Sequence, residues 1–347
     1  MKREFRSEII QFRGRHYDFG LFQGESLRDS LLLKRRARQW HLYKPKFLID
    51  LEDTKAAYQN YAPGLWEELQ GLSEGLKLPL EDTLRNFGGY RVPGPKSGCS
   101  TVITGDYLIR NYDYLPNTYD GRYVFFQPTD YGYATVGPSQ RIVGRMDGMN
   151  EHGLSIAYNF THRKKPGLGF VCHSIGRIVL EQAKNVEEAV HLLKEIPHRH
   201  SFTYLVLDRE GKKQTIEATP RKVEVHDRAL CTNHFHIQKD ENRKYTKESV
   251  ERLGALERHW QEDLSFEESF DTLNDPTKGI FVEEYKNWSG TIHTSGYRPK
   301  ELSTYISLGI GPSRKKISFA DWLEGRDLDE KYITGKLQTD LPFANME

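Results

Sequence analysis

The chain has 347 residues, of which 29% are charged, and its acidic and basic side chains nearly cancel to a formal net charge of +1. This length is sufficient for one large domain or two, and without a basic stripe no nucleic acid partner is predicted. No apolar run approaches the ~18 residues that span a bilayer, and the N-terminal MKREFRSEII lacks the apolar segment of a secretory signal, so no membrane association is predicted.

The first 98 residues are predicted to be mostly helical. A strand or hairpin is predicted in EIIQFRGRHYDFGLFQG, followed by a basic helix through SLRDSLLLKRRARQWHLY. Residues 52–76 predict a helix interrupted at Pro63, and PLEDTLRNFGGY predicts a short helix that ends at Gly88 and Gly89. The stretch VPGPKSG, residues 92–98, predicts an exposed turn.

From Cys99 onward the hydrophobic pattern changes to a period of two residues. It predicts strands in CSTVIT, YLIRNYDY, RYVFFQP, YGYATVG, RIVGRM and GLSIAYNF, then helices over 172–184 and 186–195. Further strands follow in FTYLVLD, QTIEAT, KVEVHD and ALCTNHF, then helix over 243–273 and a hairpin in GTIHTSGYR and STYISLGI. This order predicts an α+β fold in which two antiparallel sheets are covered by helices, a four-layer αββα sandwich. Residues 1–98 would wrap around the 99–347 core as part of one domain.

The three cysteines, Cys99, Cys172 and Cys231, are far apart and form no CxxC pair. We interpret them as reduced thiols of a cytoplasmic protein, not as a disulfide framework or a zinc site. His234 and His236 are two residues apart on a predicted strand, but no third ligand stands near them. Neither a metal nor a cofactor is therefore predicted.

Cys99 lies between glycine and serine at the start of a predicted strand, and two kinds of chemistry could use it. A thiol attacks a carbonyl only as the thiolate, which needs a base, and no histidine lies near Cys99 in sequence. If the peptide bond after Gly98 were cut, the freed α-amine of Cys99, with a pKa of about 7.7–8.0, could be that base. Gly98 suits such a cut because it tolerates strained backbone and leaves its carbonyl open. The alternative is a small buried side chain without chemistry.

The strand IRNYDY places Asn111 and Asp113 on one face and Arg110 on the other. Asp113 could hold the α-amine of Cys99, and Arg110 could add positive charge near the thiolate. The alternative is a surface cluster of salt bridges. Asn159 and Asn233 end two further predicted strands and could each direct an amide N–H at an oxyanion, although an asparagine at such a place is commonly a turn residue.

Four short motifs follow Cys99 in a fixed order. They are RNYD at 110–113, GMNEHGLSIAYN at 148–159, TNHF at 232–235 and SVER at 249–252. Together they resemble the choloylglycine hydrolase (bile-salt hydrolase, penicillin V acylase) and isopenicillin-N acyltransferase group of N-terminal-nucleophile (Ntn) hydrolases, over most of the chain from Cys99 to about residue 310. The resemblance implies the Ntn-hydrolase αββα sandwich.

The resemblance also implies a role for each matched residue. These are the nucleophile Cys99, the charged pair Arg110 and Asp113, the amides Asn159 and Asn233 at the oxyanion and substrate, and the distal arginine Arg252. The 98 residues before the cysteine resemble the acyltransferase branch, whose precursor cuts itself before an internal cysteine. Members there often have Asp-Gly-Cys, whereas this chain has Ser97-Gly98-Cys99.

The function implied is that of a self-cleaving cysteine amidohydrolase or acyltransferase. It would act on a linear amide C–N bond of a small N-acylated substrate through a thioester, with water, an amine or acyl-CoA as the second partner. Two alternatives stay open, a Cys–His thiol hydrolase without cleavage and an uncut binding protein on the same fold. The acyl group, the choice between hydrolysis and transfer, and a homo-oligomeric state are left open.

Overall fold

A computed structural model describes residues 2–41, 50–91, 98–161, 165–242, 247–287, 289–311 and 314–346, without the side chains of 37–41, 287 and 289. The predicted turn over 92–97 and the predicted helix start at 243–246 lie outside these residues. None of the described helices is both long and apolar enough to cross a membrane.

The N-terminal segment contains one strand and, in its described part, five helices. These are β1 (Lys2–Gly14), α1 (His16–Leu27), α2 (Leu31–His41), α3 (Leu51–Tyr61), α4 (Pro63–Leu76) and α5 (Leu80–Asn86). Pro63 separates α3 from α4, and α5 ends just before Gly88, both as predicted. Of the two alternatives predicted for the start of the chain, a strand or a hairpin, the structure has the single strand β1, and the residues from His16 onward form α1. Gly20 and Gly24 let α1 approach the backbone of α4 so closely that a Cβ at either position would collide with it.

The rest of the chain alternates strands with pairs of helices. In chain order the elements are β2 (Gly98–Ile103), β3 (Leu108–Tyr114), β4 (Arg122–Pro128), β5 (Thr135–Gln140), β6 (Gly144–Arg145), β7 (Asp147–Asn150), β8 (Ser155–Phe160), α6 (Cys172–Gln182), α7 (Val186–Glu195), β9 (Phe202–Leu207), β10 (Lys213–Ala218), β11 (Val223–His226), β12 (Leu230–Cys231), α8 (Lys247–His259), α9 (Phe266–Asn274), β13 (Glu283–Glu284), β14 (Ser289–Arg298), β15 (Ser303–Leu308), β16 (Lys315–Ser318), α10 (Phe319–Leu323) and β17 (Tyr332–Gln338).

Several boundaries differ from the prediction. The run RIVGRM contains only the two-residue β6, and DGMN, which lies between two predicted strands, forms strand β7. The strand predicted in ALCTNHF ends at Cys231, so Asn233 follows β12 in a loop. The helical region predicted up to residue 273 contains the two helices α8 and α9.

Two sheets form the centre of the molecule. The described strands of the larger sheet follow the order β11-β10-β9-β8-β7-β5-β4-β1-β17, with β6 beside β5. Those of the smaller sheet follow the order β12-β2-β3-β14-β15-β16, with β13 beside β14. One pairing departs from the predicted antiparallel arrangement, because β1 runs parallel to β4.

Clusters of buried apolar side chains separate the layers. The cluster between the sheets takes side chains from both, among them Tyr112, Phe125 and Leu205. A second cluster joins the outer face of the larger sheet to α6, α7 and the N-terminal helices, and a third joins the outer face of the smaller sheet to α8 and α9. The molecule is therefore the predicted α+β structure with four αββα layers.

Candidate active site

Cys99 is the second residue of β2, and its side chain points into the space between the two sheets. It is fully buried and belongs to the cluster between the sheets. In the smaller sheet Cys99 lies opposite Tyr112, and Tyr112 lies opposite His293. Two residues further along the same three strands, Thr101, Arg110 and Ser295 lie side by side, and their side chains are on the same face of the sheet as Cys99. Because alternate residues share a face, Arg110 is the diagonal neighbour of Cys99.

Arg110 places its guanidinium against the sulfur of Cys99. Its Nη2 donates to Sγ at 3.0 Å and to the carbonyl oxygen of Tyr158 at 2.8 Å. Its Nη1 donates to the carboxylate of Asp147 at 2.7 Å and to the carbonyl oxygen of Met146 at 3.1 Å. Arg110 is fully buried and its pKa is raised, because the charges of Cys99 and Asp147 outweigh the cost of burial. A positive charge is thus present beside the thiol.

The thiol of Cys99 is nevertheless harder to ionise than a free cysteine. Burial raises its pKa and is the largest effect, while Arg110, the backbone N–H of Asp113 and Arg252 act to lower it. An aid to deprotonation is therefore needed for this sulfur to act as a nucleophile near neutral pH.

The main chain of Cys99 is held by two of the predicted site residues. The backbone N–H of Cys99 donates to Oδ1 of Asn233 at 2.9 Å, and its carbonyl oxygen accepts from Nη1 of Arg252 at 2.6 Å. Nη2 of Arg252 also donates to Oδ1 of Asn233 at 2.6 Å. The loop of Asn233 is fixed in turn by Ser249, whose Oγ accepts from the Asn233 backbone N–H at 2.8 Å. Arg252 and Ser249 both lie on α8, so this helix positions the start of β2.

Asp113 lies on the opposite face of β3 from Arg110, as the alternation predicts, and its cross-strand partner is Gly98. One carboxylate oxygen accepts from Oγ1 of Thr291 at 2.7 Å. The other, Oδ2, is 3.5 Å from Nη1 of Arg252 and has no hydrogen bond within the described structure. Burial raises the pKa of Asp113, although Arg252 and Thr291 act against that effect. An acceptor oxygen is thus available close to the Gly98–Cys99 bond.

The side chain of Asn159 makes hydrogen bonds to two neighbours of Cys99 in the smaller sheet. Its Nδ2 donates to the carbonyl oxygen of Cys231 at 3.0 Å, and its Oδ1 accepts from Thr101 at 2.9 Å. These contacts join β8 of the larger sheet to β2 and β12 of the smaller one. Asn233 is therefore the predicted amide that bonds directly to Cys99, whereas Asn159 braces the strand that carries it.

Histidines occupy two places around the site. His293 shares the inward row of Cys99, but Tyr112 stands between them, and two strand spacings separate their backbones by about 10 Å. His234 instead approaches Ser249, with its Nδ1 at 2.8 Å from the Ser249 Oγ. Neither arrangement gives the thiol a histidine partner.

Asp147 was missed in the sequence. Its buried carboxylate pairs with Arg110, yet it stands in β7 of the larger sheet and is 37 residues further along the chain. The only sequence signal was its place directly before the GMNEHGL motif, and that signal did not identify a partner.

The model of the family described as acyl-coenzyme A:6-aminopenicillanic acid acyl-transferase matches residues 102–311, which is more than half of the chain. The chain belongs to this family. The resemblance inferred from the four motifs is confirmed, and with it the prediction of an enzyme of the acyltransferase and amidohydrolase group. The matched range includes Arg110, Asp113, Asn159, Asn233 and Arg252.

Several solved structures are similar to this chain, all at low sequence identity. A conjugated bile acid hydrolase from Clostridium perfringens has 16% identity and a TM-score of 0.44, over 71% of this chain and 97% of that one. Penicillin V acylase from Agrobacterium tumefaciens has 15% identity and a TM-score of 0.44, over 65% and 86%. A Caenorhabditis elegans orthologue of N-acylethanolamine-hydrolyzing acid amidase has 12% identity and a TM-score of 0.40, over 58% and 93%. No curated protein matches the sequence.

Proposed function

We propose that this chain is a cysteine Ntn amidohydrolase or acyltransferase that activates itself by cutting the Gly98–Cys99 bond. The observation that carries the proposal is the arrangement around one residue. Arg110 contacts the sulfur of Cys99 at 3.0 Å, while Asn233 holds its backbone nitrogen at 2.9 Å. The nucleophile and the nitrogen that would become its base are therefore both fixed in place.

Self-cleavage would begin with attack of the Cys99 sulfur on the carbonyl carbon of Gly98. The C–N bond to Cys99 breaks, its nitrogen takes up a proton, and a thioester joins Gly98 to the sulfur. Water then hydrolyses this thioester, which leaves the carboxylate of Gly98, the free thiol and the free α-amine of Cys99. Arg110 stabilises negative charge on the sulfur during the attack.

Two hydrogen-bond acceptors lie close to the nitrogen that would become the α-amine. Oδ1 of Asn233 already accepts from this nitrogen. Asp113 lies opposite Gly98, and its buried Oδ2 accepts no hydrogen bond from the residues that the structure describes. A carboxylate near an amine favours the ammonium form. These groups would set the pKa of the amine that receives the thiol proton at each turnover.

In turnover the thiolate attacks the acyl carbonyl of an amide, and negative charge develops on the carbonyl oxygen. We place the side-chain amide of Asn233, whose Nδ2 donates to the carbonyl oxygen of Phe160 at 2.9 Å, and a backbone N–H at this oxyanion. The amine product leaves with a proton, and a thioester acyl-enzyme remains. Water, an amine or a thiol then takes the acyl group. Arg252 keeps Cys99 and Asn233 in place, and Asn159 braces the strand.

The substrate class proposed is a small molecule with a linear N-acyl amide. The family description supports this class, because it names transfer of the acyl group of an acyl-coenzyme A to 6-aminopenicillanic acid, with coenzyme A as the leaving group. Acyl-CoA as the acyl donor and an amine as the acceptor are therefore the second partners to test. Three buried free cysteines support a cytoplasmic location.

We also propose that residues 1–98 stay bound after the cut as a separate subunit of one domain. In the larger sheet β1 pairs with β17 over residues 2–8 and with β4 over residues 8–14, so its whole length is hydrogen-bonded to the rest of the sheet.

An intact-mass spectrum of the purified chain tests the proposal directly. We expect two fragments of 98 and 249 residues, and a single uncut chain for Cys99→Ala, because alanine cannot form the thioester. Cys99→Ser should be cut slowly, since a hydroxyl can make the same shift with a poorer nucleophile. If Cys99→Ala is cut at Gly98 as readily as wild type, a contaminating protease is responsible and self-cleavage is rejected.

The same variants separate the alternatives. A Cys–His hydrolase would stay uncut yet hydrolyse acyl amides, and would lose that activity in Cys99→Ala. A binding protein would stay uncut and show no Cys99-dependent turnover with any member of a panel of acyl amides, with or without an added amine.

A further inference from the structure

Asp147 is the most completely bonded acid close to Cys99. It reaches from β7 of the larger sheet across to the smaller sheet, and it is buried. Its Oδ1 accepts from Oγ of Ser295 at 2.8 Å and from the hydroxyl of Tyr297 at 2.5 Å. Its Oδ2 accepts from Arg110 at 2.7 Å, and Nε2 of His293 lies 3.8 Å away. These partners hold the pKa of Asp147 below its usual value despite burial, so the group is a carboxylate at neutral pH.

The ion pair with Asp147 limits what Arg110 can offer the sulfur. Nη1 is shared between Asp147 and the carbonyl oxygen of Met146, and Nη2 is shared between Cys99 and the carbonyl oxygen of Tyr158. Arg110 and Asp147 together carry no net charge. The Arg110 N–H that reaches the sulfur is therefore a shared N–H of a neutralised pair. Besides this pair, the backbone N–H of Asp113 and the charge of Arg252 favour the thiolate, while burial and the charge of Asp113 oppose it.

We propose that Asp147 is a positioning residue that holds and neutralises Arg110, and thereby keeps the resting Cys99 side chain predominantly a protonated thiol, both before and after the cut. The proposal rests on the proposed function in one respect, since it takes Cys99 as the nucleophile. When Asp147 is charged, it offsets part of the stabilisation that Arg110 gives to the thiolate form of Cys99. Without that negative charge, the buried guanidinium would lack a counter-ion, and the nearest group that could supply one is the Cys99 sulfur.

The test is the pH dependence of Cys99 alkylation in the full chain, comparing Asp147→Asn with wild type. Iodoacetamide reacts with the thiolate, so the rate follows the ionisation of the thiol. After digestion, mass spectrometry separates a Cys99 peptide that retains the preceding residues from one that begins at Cys99. The alkylation of cut and uncut chains is thus measured separately in one sample. Cys172 and Cys231 serve as internal references.

We expect Asp147→Asn to lower the pKa of Cys99 by at least about one unit in each cleavage state, a rise of about tenfold in the thiolate fraction at pH 7. Ser295→Ala is the matched control, because it removes one hydrogen bond to Asp147 but leaves the charge, and its Cys99 pKa should match that of wild type. Asp147→Glu keeps the charge and should also resemble wild type.

An unchanged or raised pKa in Asp147→Asn overturns the proposal. Should that variant fail to fold, Asp147→Ser makes the same change of charge with room for a water molecule, and the same shift is expected. If neither neutral variant folds while Asp147→Glu does, the carboxylate is required for the fold and the proposal is rejected. Failure of the proposed function is distinguishable, because it appears as an uncut wild-type chain and does not prevent the alkylation measurement.

Discussion

The two ends of the Asn233 side chain have different tasks, and aspartate and alanine at this position separate them. Asn233→Ala removes the acceptor of the Cys99 backbone N–H and of Arg252, together with the donor to Phe160. Asn233→Asp keeps the acceptor oxygen and removes the N–H donors, and it adds a negative charge beside Arg252.

The structure gives the sizes of the two effects. Two neutral hydrogen bonds contribute about 1 kcal/mol each and one to a charged group about 2 kcal/mol, so Asn233→Ala should lower the free energy of unfolding by about 4 kcal/mol. Asn233→Asp gives up one neutral bond, about 1 kcal/mol, and places an oxygen against the Phe160 carbonyl. Loss of an oxyanion donor costs on the order of 10²–10³ in rate, about 3–4 kcal/mol, and should appear in both variants.

The assay is single-turnover acylation with a chromogenic acyl anilide, read as the mass increase of the fragment that begins at Cys99. Urea unfolding of the same samples gives the stabilities. We expect Asn233→Asp to combine nearly normal stability with slow acylation and little change in substrate binding, since the charge appears only in the transition state. The control is His234→Ala. The ring of His234 contacts Ser249, so its loss should slow acylation much less than the loss of the Asn233 amide.

Normal acylation by Asn233→Asp would refute the oxyanion role and leave Asn233 as an anchor of the Cys99 nitrogen. If His234→Ala were crippling and Asn233→Ala mild, the N-terminal amine mechanism would be abandoned for a Cys–His pair.

Three further outcomes are expected. Asp113→Asn should fold but turn over slowly, and the acidic limb of its pH–rate profile should move down by about one unit, because the amine loses a carboxylate that raises its pKa; an unchanged profile at full activity would remove Asp113 from the site. Burial lowers the pKa of His16 but the Glu181 carboxylate outweighs it and raises the pKa to about 9. This folded-state value lies above the unfolded one, so the stability from His16 is full below pH about 6.5 and is lost as the pH rises through about 9. His16→Gln should abolish this pH-dependent loss of stability, so that the urea midpoint of the variant is the same at pH about 6.5 and at pH about 9. Finally, the fragments 1–98 and 99–347 should elute together from a sizing column and separate only in denaturant, whereas early separation would contradict retention of β1.

The parts of the fold that the sequence predicted are those fixed by local chemistry. Pro63 has no amide hydrogen and ends one helix before the next, and the strands on both sides of Gly105 follow from alternation and a turn. The order of the four motifs also identified Arg110, Asp113, Asn233 and Arg252, which lie around Cys99 in the structure.

The parts that were missed depend on contacts between distant segments. Alternating aromatic residues around Gly20 suggest a strand, but this glycine lets α1 pack against α4 at backbone distance, and tertiary packing outweighs the local pattern. β17 could not be foreseen because its partner is β1, more than 300 residues earlier. Asp147 belongs to the same class, since its partners Ser295 and Tyr297 come about 150 residues later.

The pairing of β1 with β17 brings two ends of the chain together, with Lys2 opposite Gln338. A short linker could therefore connect the C-terminal region to the N-terminal strand, and the chain could be opened instead between Gly98 and Cys99. Such a circular permutant would carry Cys99 as its first residue once the initiator methionine is removed. Its nucleophile would have a free α-amine without any self-cleavage, so that the maturation reaction and the turnover reaction could be measured in separate proteins.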